Sequence, residues 1–210
     1  MKKLITCLMF GVAVAPSLIA QSQVNYSAAP GKPAIYNNDG SAVADLNEVW
    51  IGTFDATFNL AANANNPQQL LAHWHPFGLQ DTTITTIGGQ QGRFSGSSSS
   101  TDPFFADQKI YLWIFSTDGA GSPATNDFSN VNEYGIFSSS TNANWSFSPD
   151  PPPANLRTIS SGHVNQAFFG AYDPTHLYLS PGFITVPEPN TLALLSLAVP
   201  AAVLALRRRR

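Results

Sequence analysis

The spacing with most potential for metal chemistry is His73-Trp74-His75. Imidazoles at i and i+2 converge when their segment is a strand. Here the pair closes an expected helix, where side chains two apart diverge, so it reads as a solvent-facing or capping pair with no metal expected. His163 and His176 stand singly, in loop and strand contexts. Glycoside hydrolysis needs two carboxylates across a cleft. The candidates are Glu48 and Glu133 with the aspartates, Glu133 between Asn132 and Tyr134 being the better placed. Its plainer reading is a strand residue facing solvent. Ser160-Ser161-Gly162-His163 sets serine beside histidine but lacks a Gly-x-Ser-x-Gly elbow. Asn37-Asn38-Asp39-Gly40 and Asp118-Gly119-Ala120-Gly121 gather oxygens around glycine without the ligand spacing of a calcium loop, and turn formation explains both. No glycine-rich loop follows a strand and opens a helix, so a nucleotide site is not indicated. No catalytic residue, metal ligand or cofactor is assigned.

Binding is the more tenable activity. Trp50, Trp74, Trp113 and Trp145 offer flat apolar faces, and the abundant Asn, Asp and Gln offer hydrogen bonds, the combination by which β-sandwiches hold sugars. Core packing accounts for most of these rings. Trp145, in the polar Asn144-Trp145-Ser146, is the least core-like and is the candidate for ligand stacking.

The elements that would position these residues are mostly short strands. Residues 108–116 are rich in aromatic and β-branched side chains and apolar on both faces from 110 to 115, which predicts a central strand covered on both sides, between sheets or beneath a helix. Further strands are expected at 49–54, 56–58, 82–87, 132–137, 144–147, 158–159, 164–172 and 176–179. The segments between them carry turn-forming residues, including 95–103 and 149–153, and the serine run 97–100 reads as low-complexity and mobile. One helix is expected over 67–74, with Asn66 as N-cap and Pro67 in its first turn. The fold class is therefore mainly β: a single domain, an antiparallel sandwich or jelly roll with one short helix.

Both ends of the chain differ from this body. Met1-Lys2-Lys3, the apolar residues 4–19 and the small-x-small Ala20-Gln21-Ser22 make a secretory signal peptide over residues 1–22. Cleavage is expected after Ser22, with Ala20 as the alternative. The single cysteine, Cys7, lies within it, so the body, residues 23–186, has no thiol for a disulfide, a thiolate metal site or a nucleophile. The body keeps four strong bases, Lys32, Arg93, Lys109 and Arg157, against twelve of the thirteen acids, a net charge of −8. Such a balance repels phosphate backbones and anionic lipid and argues against nucleic acid as a partner.

The C-terminal segment, residues 187–210, carries three elements in order. Pro187-Glu188-Pro189 cannot continue a helix or strand and reads as an accessible hinge. Residues 191–206 are uncharged and largely apolar, and Arg207, Arg208, Arg209 and Arg210 end the chain. Sixteen residues at about 1.5 Å each span roughly 24 Å, short of the ~30 Å hydrocarbon core, and Pro200 weakens that helix further. The deficit suits a segment that is recognised and discarded. The positive-inside rule keeps the four arginines cytoplasmic and the body outside.

These elements resemble the PEP-CTERM sorting domain of Gram-negative bacteria, over about the last twenty-five residues. The resemblance implies that Pro187-Glu188-Pro189 is the recognition element for an exosortase, a membrane-embedded cysteine transpeptidase. It further implies transient inner-membrane insertion of the precursor and release of the body to the cell surface or extracellular matrix. The body itself resembles no characterised family. The expected function is a structural, non-enzymatic surface or matrix protein; an exopolysaccharide-binding module and a small secreted glycan hydrolase are the alternatives.

Overall fold

The computed structural model describes residues 22–79, 82–118, 121–123, 128–149 and 156–182. The expected signal peptide up to residue 21 lies outside the described residues, as do the hinge Pro187-Glu188-Pro189, the apolar run and Arg207, Arg208, Arg209 and Arg210.

The strands and helices follow in chain order. They begin with β1 (Ser22–Ser27), β2 (Ala34–Tyr36), β3 (Glu48–Phe54), α1 (Leu60–Asn63), α2 (Pro67–Ala72), β4 (Trp74–Pro76), β5 (Thr82–Thr83) and β6 (Thr85–Ile87). After these come β7 (Gln90–Arg93), β8 (Ser95–Ser100), β9 (Tyr111–Thr117), β10 (Val131–Ser138) and β11 (Leu156–Ser160). The series ends with β12 (Gln166–Phe169), β13 (Ala171–Tyr172), β14 (His176–Tyr178) and β15 (Ser180–Pro181). A seven-stranded antiparallel sheet in the order β12-β10-β9-β3-β4, with β15 on β10 and β5 on β3, forms the centre. Two three-stranded sheets, β11-β1-β8 and β13-β14-β2, and the hairpin β6-β7 complete the β structure.

The central strand is where the sequence predicts it, and its alternation explains why the run is apolar on both faces. Leu112 and Ile114 of β9, with Val49 and Ile51 of β3, join Val24, Tyr26, Ile159, Ile35 and Leu177 from the two smaller sheets in one buried cluster. Trp113 and Phe115, with Phe54, Tyr134 and Ile136, join Leu60 of α1 and Leu70 of α2 in a second cluster on the opposite face. Residues two apart share a face of a strand. The central sheet is thus covered by sheet on one side and by helix on the other, and both alternatives foreseen for residues 110–115 occur at once.

Four expectations are corrected. The arrangement is not purely antiparallel: β1 pairs with β11, and β14 with β2, in parallel. Residue periodicity shows which side chains face the core but not which way a distant partner strand runs. Among the described residues there are two short α-helices where the body was expected to have one. α2 carries the expected cap, Asn66 accepting from the Gln69 amide with Pro67 at its start, while in α1 Asn59 accepts from the Ala62 amide. The serine run is strand β8, paired residue by residue with β1 from Ser22↔Ser100 to Ser27↔Ser95, because partner pairing outweighs the weak strand preference of serine and glycine. Finally, residues 143–145 form a 3-10 turn, not a strand.

Candidate functional site

His73 and His75 meet at a single carboxylate. The helix α2 ends at Ala72, His73 is its C-cap with φ −114° and ψ 5°, and the chain enters β4 at Trp74. Antiparallel pairing of β4 with β3 sets Trp74 opposite Phe54 and His75 opposite Thr53, and the Asp55 amide donates to the His73 carbonyl at 3.2 Å. Close approach of the strands requires Gly52. A Cβ there would stand 2.3 Å from the His75 carbonyl oxygen and 2.7 Å from the Trp74 ring. Asp55 is thereby placed between the two imidazoles, with His73 Nδ1 at 2.7 Å from Oδ2 and His75 Nε2 at 2.7 Å from Oδ1. The expected divergence of the pair is corrected, because the helix stops before His73 and strand geometry brings the rings to the same edge.

The surroundings fix the rings. Phe58 stacks on His73 with centroids 4.3 Å apart, and Phe104 lies 4.3 Å from His75 at 44°. The hydrogen bonds from His73 first, and then from His75, hold the Asp55 carboxyl below the usual carboxylate range. A carboxylate accepts, so His73 donates from Nδ1 and His75 from Nε2. Each oxygen takes a different imidazole, so the rings flank the carboxylate rather than sharing a central point. Among the described residues no group of three or more His, Cys, Asp or Glu side chains is arranged to hold a metal ion. The arrangement is a surface clamp that ties the turn between α2 and β4 to the end of β3.

The remaining sequence candidates are held in other ways. Trp145 is 1% exposed and belongs to the core cluster beneath the smaller sheets. The stacking role given to Trp145 is therefore corrected: its 3-10 turn folds the ring inward, although its sequence neighbours are polar. Trp74 and Trp113 are also core residues, at 7% and 0% exposed. Glu133 accepts the Asn38 amide at 2.7 Å and caps the turn formed by Asn37-Asn38-Asp39-Gly40. Burial raises its pKa above the usual carboxylate range, and that hydrogen bond opposes the rise. Glu48 accepts from the Trp50 indole at 2.6 Å and from the Ser122 hydroxyl. Ser160 Oγ lies 3.3 Å from His163 Nδ1, while Ser161 donates to the Pro33 carbonyl. Each of the two acids thus serves a turn or a neighbouring ring.

Sequence reasoning missed one cluster, on the outer face of β14 and β2. His176 and Tyr178 stand there beside Tyr36, with centroids 4.3 Å and 6.2 Å from the Tyr36 ring. Asp173 accepts from the Thr175 hydroxyl and amide and from the His176 amide at 2.6 to 2.8 Å, which depresses its pKa. The parallel pairing His176↔Ala34 and Tyr178↔Tyr36 makes this cluster, and no local pattern announces it.

No helix among the described residues is long and apolar enough to cross a membrane. No curated protein and no solved structure matches the chain. Residues 185–210 match the family model of the PEP-CTERM protein-sorting motif, and the chain therefore carries the signal of an exported, exosortase-targeted protein.

Proposed function

We propose that the chain is the precursor of a non-enzymatic structural protein of the cell surface or extracellular matrix, released after removal of both terminal segments. The sorting motif at residues 185–210 carries this reading, since such a signal concerns where the body is delivered. The body supports it through its chemistry. Its charge is sparse and acidic, and its tryptophans Trp74, Trp113 and Trp145 are buried in the fold. Glu133 and Asp55 are both engaged in holding backbone corners together.

Intact-mass analysis of the native extracellular form tests the destination. The mature species should begin near Gln23 and end near Pro187-Glu188-Pro189. A species retaining Arg207, Arg208, Arg209 and Arg210 would overturn the processing claim. Replacing Pro187 and Pro189 by alanine should leave the precursor in the membrane. The non-enzymatic part is tested separately with glycan and ester substrates. Hydrolysis abolished by Glu133→Gln would replace it with the hydrolase reading.

A second reading, binding of exopolysaccharide, is favoured by one observation. The half-buried rings of Tyr36, His176 and Tyr178 share the outer face of a small sheet, so aromatic surface is presented away from the core there.

A further inference from the structure

Arg93 is 7% exposed, yet among the described residues its charge has no carboxylate partner. Every ion pair among the described residues joins a histidine to an aspartate. The guanidinium Nη1 donates to the carbonyls of Ala29 and Lys32, and Nη2 donates to Gln90 Oε1 at 2.6 Å. The buried Nε–H has no acceptor among the described residues. A guanidinium carries five N–H donors, and on the edge formed by Nε and Nη2 only Nη2 is answered, by Gln90. That edge is the side on which arginine takes a carboxylate in two parallel hydrogen bonds. Burying a charge without a counter-ion is costly. In a body with net charge −8, acids are plentiful, and still none of the described ones is paired with Arg93.

The same arginine lines an open cleft of about 520 Å³, together with Tyr36, Thr86, Gln90 and Gln91. Gln90 and Gln91 are exposed. Thr86 is tied to Asp45 at 3.2 and 3.3 Å, which puts one negative charge at that rim. A doubly charged anion would be repelled by it, and a singly charged carboxylate less so. Tyr36, packed against His176, gives the cleft an aromatic wall of the kind that pyranose rings stack upon.

We propose that Arg93 forms the floor of an oxyanion site that takes the carboxylate of an acidic sugar residue, with the Gln90 side chain as a displaceable placeholder. The oxyanion site stands on the geometry of Arg93. The sugar carrier rests on the proposed surface or matrix destination.

Calorimetric titration of the full-length protein in detergent micelles tests this, with galacturonate, galactose, acetate and polygalacturonate as probes. Galacturonate and its polymer should bind saturably and galactose should not. Arg93→Lys removes the two-pronged edge but also loosens the carbonyl contacts of Ala29 and Lys32, so the decisive variant is Gln90→Glu. It sets a carboxylate on the edge of Nε and Nη2 without touching the arginine. Galacturonate affinity should fall about tenfold or more, with the circular dichroism spectrum unchanged, whereas Gln90→Ala should retain binding. Equal affinity for galactose and galacturonate, unchanged affinity in Gln90→Glu, or no saturable binding of any acid would overturn the site. Acetate binding as tightly as galacturonate would overturn the sugar carrier alone. Each of these results leaves the intact-mass test of processing untouched.

Discussion

The two faces of the central sheet solve the same problem with different side chains. Toward the smaller sheets the packing is largely aliphatic, with Val49, Ile51, Leu112 and Ile114 as its rows. Toward the helices it is aromatic: Trp113 lies 5.5 Å from both Trp74 and Phe128, and Trp50 lies 4.7 Å from Phe115. Sheet on sheet leaves a layer that branched aliphatics fill by interdigitation. Helices of four and six residues are too short to be stable alone or to present a long apolar stripe. Large rings reach across what such helices leave open, and edge-to-face contacts fix them. The aromatic richness that suggests ligand stacking in the bare sequence is therefore largely a consequence of covering a broad sheet with little helix.

The comparison is broken most directly at Trp113. Trp113→Ala should cost about 3–5 kcal/mol, the range for large aromatic truncations in cores, read from urea unfolding. A loss under about 1 kcal/mol would mean that the helix-covered face is not a true core. Trp145→Ala probes the other face, and the same range of about 3–5 kcal/mol is expected; loss of sugar binding at full stability would instead restore a stacking role. The helical cover is sharpened by Asn66→Ala, which removes the side-chain acceptor for the Gln69 amide. It should cost about 0.5–2 kcal/mol and loosen Leu70, seen as faster amide exchange across α2.

The smallest effect belongs to the clamp at Asp55, whose half-exposed position leaves it screened by solvent. Its folded pKa lies below the unfolded value. Its contribution is therefore complete above the unfolded pKa of about 4 and is lost as pH falls through the lower folded value. Asp55→Asn should lower the melting temperature slightly at neutral and alkaline pH and flatten the acid limb, the difference from the unaltered protein vanishing at low pH. An unchanged acid limb would mean that the two histidines do not grip the carboxylate in solution.

Legibility followed the range of the interactions. Strand β9, the α2 cap at Asn66 and the main-chain alternation that splits Trp113 from Ile114 depend on neighbours within a few residues, and all were readable. The histidine spacing was readable too. Its partner was not, because Asp55 precedes His73 by eighteen residues and appears in the sequence as a separator between two strand segments. Trp145 misled because polar neighbours describe a turn's surface and not where its ring points. β8 misled because serine contributes little strand preference, while β1, about seventy residues away, supplies the pairing. Arg93 counts in the sequence as one charge among sixteen; its isolation is made by the loop carrying Ala29 and Lys32 closing over it.

The last strand has a mechanical meaning for a protein handled by its C-terminal end. β15 joins β10 through two antiparallel residue pairs, Glu133↔Pro181 and Tyr134↔Ser180, and β14 just before it runs parallel to β2 over three. β15 is thus held by the shorter of the two ladders, so a pull on the tether meets two residue pairs at the edge of β10 before it meets the three that join β14 to β2.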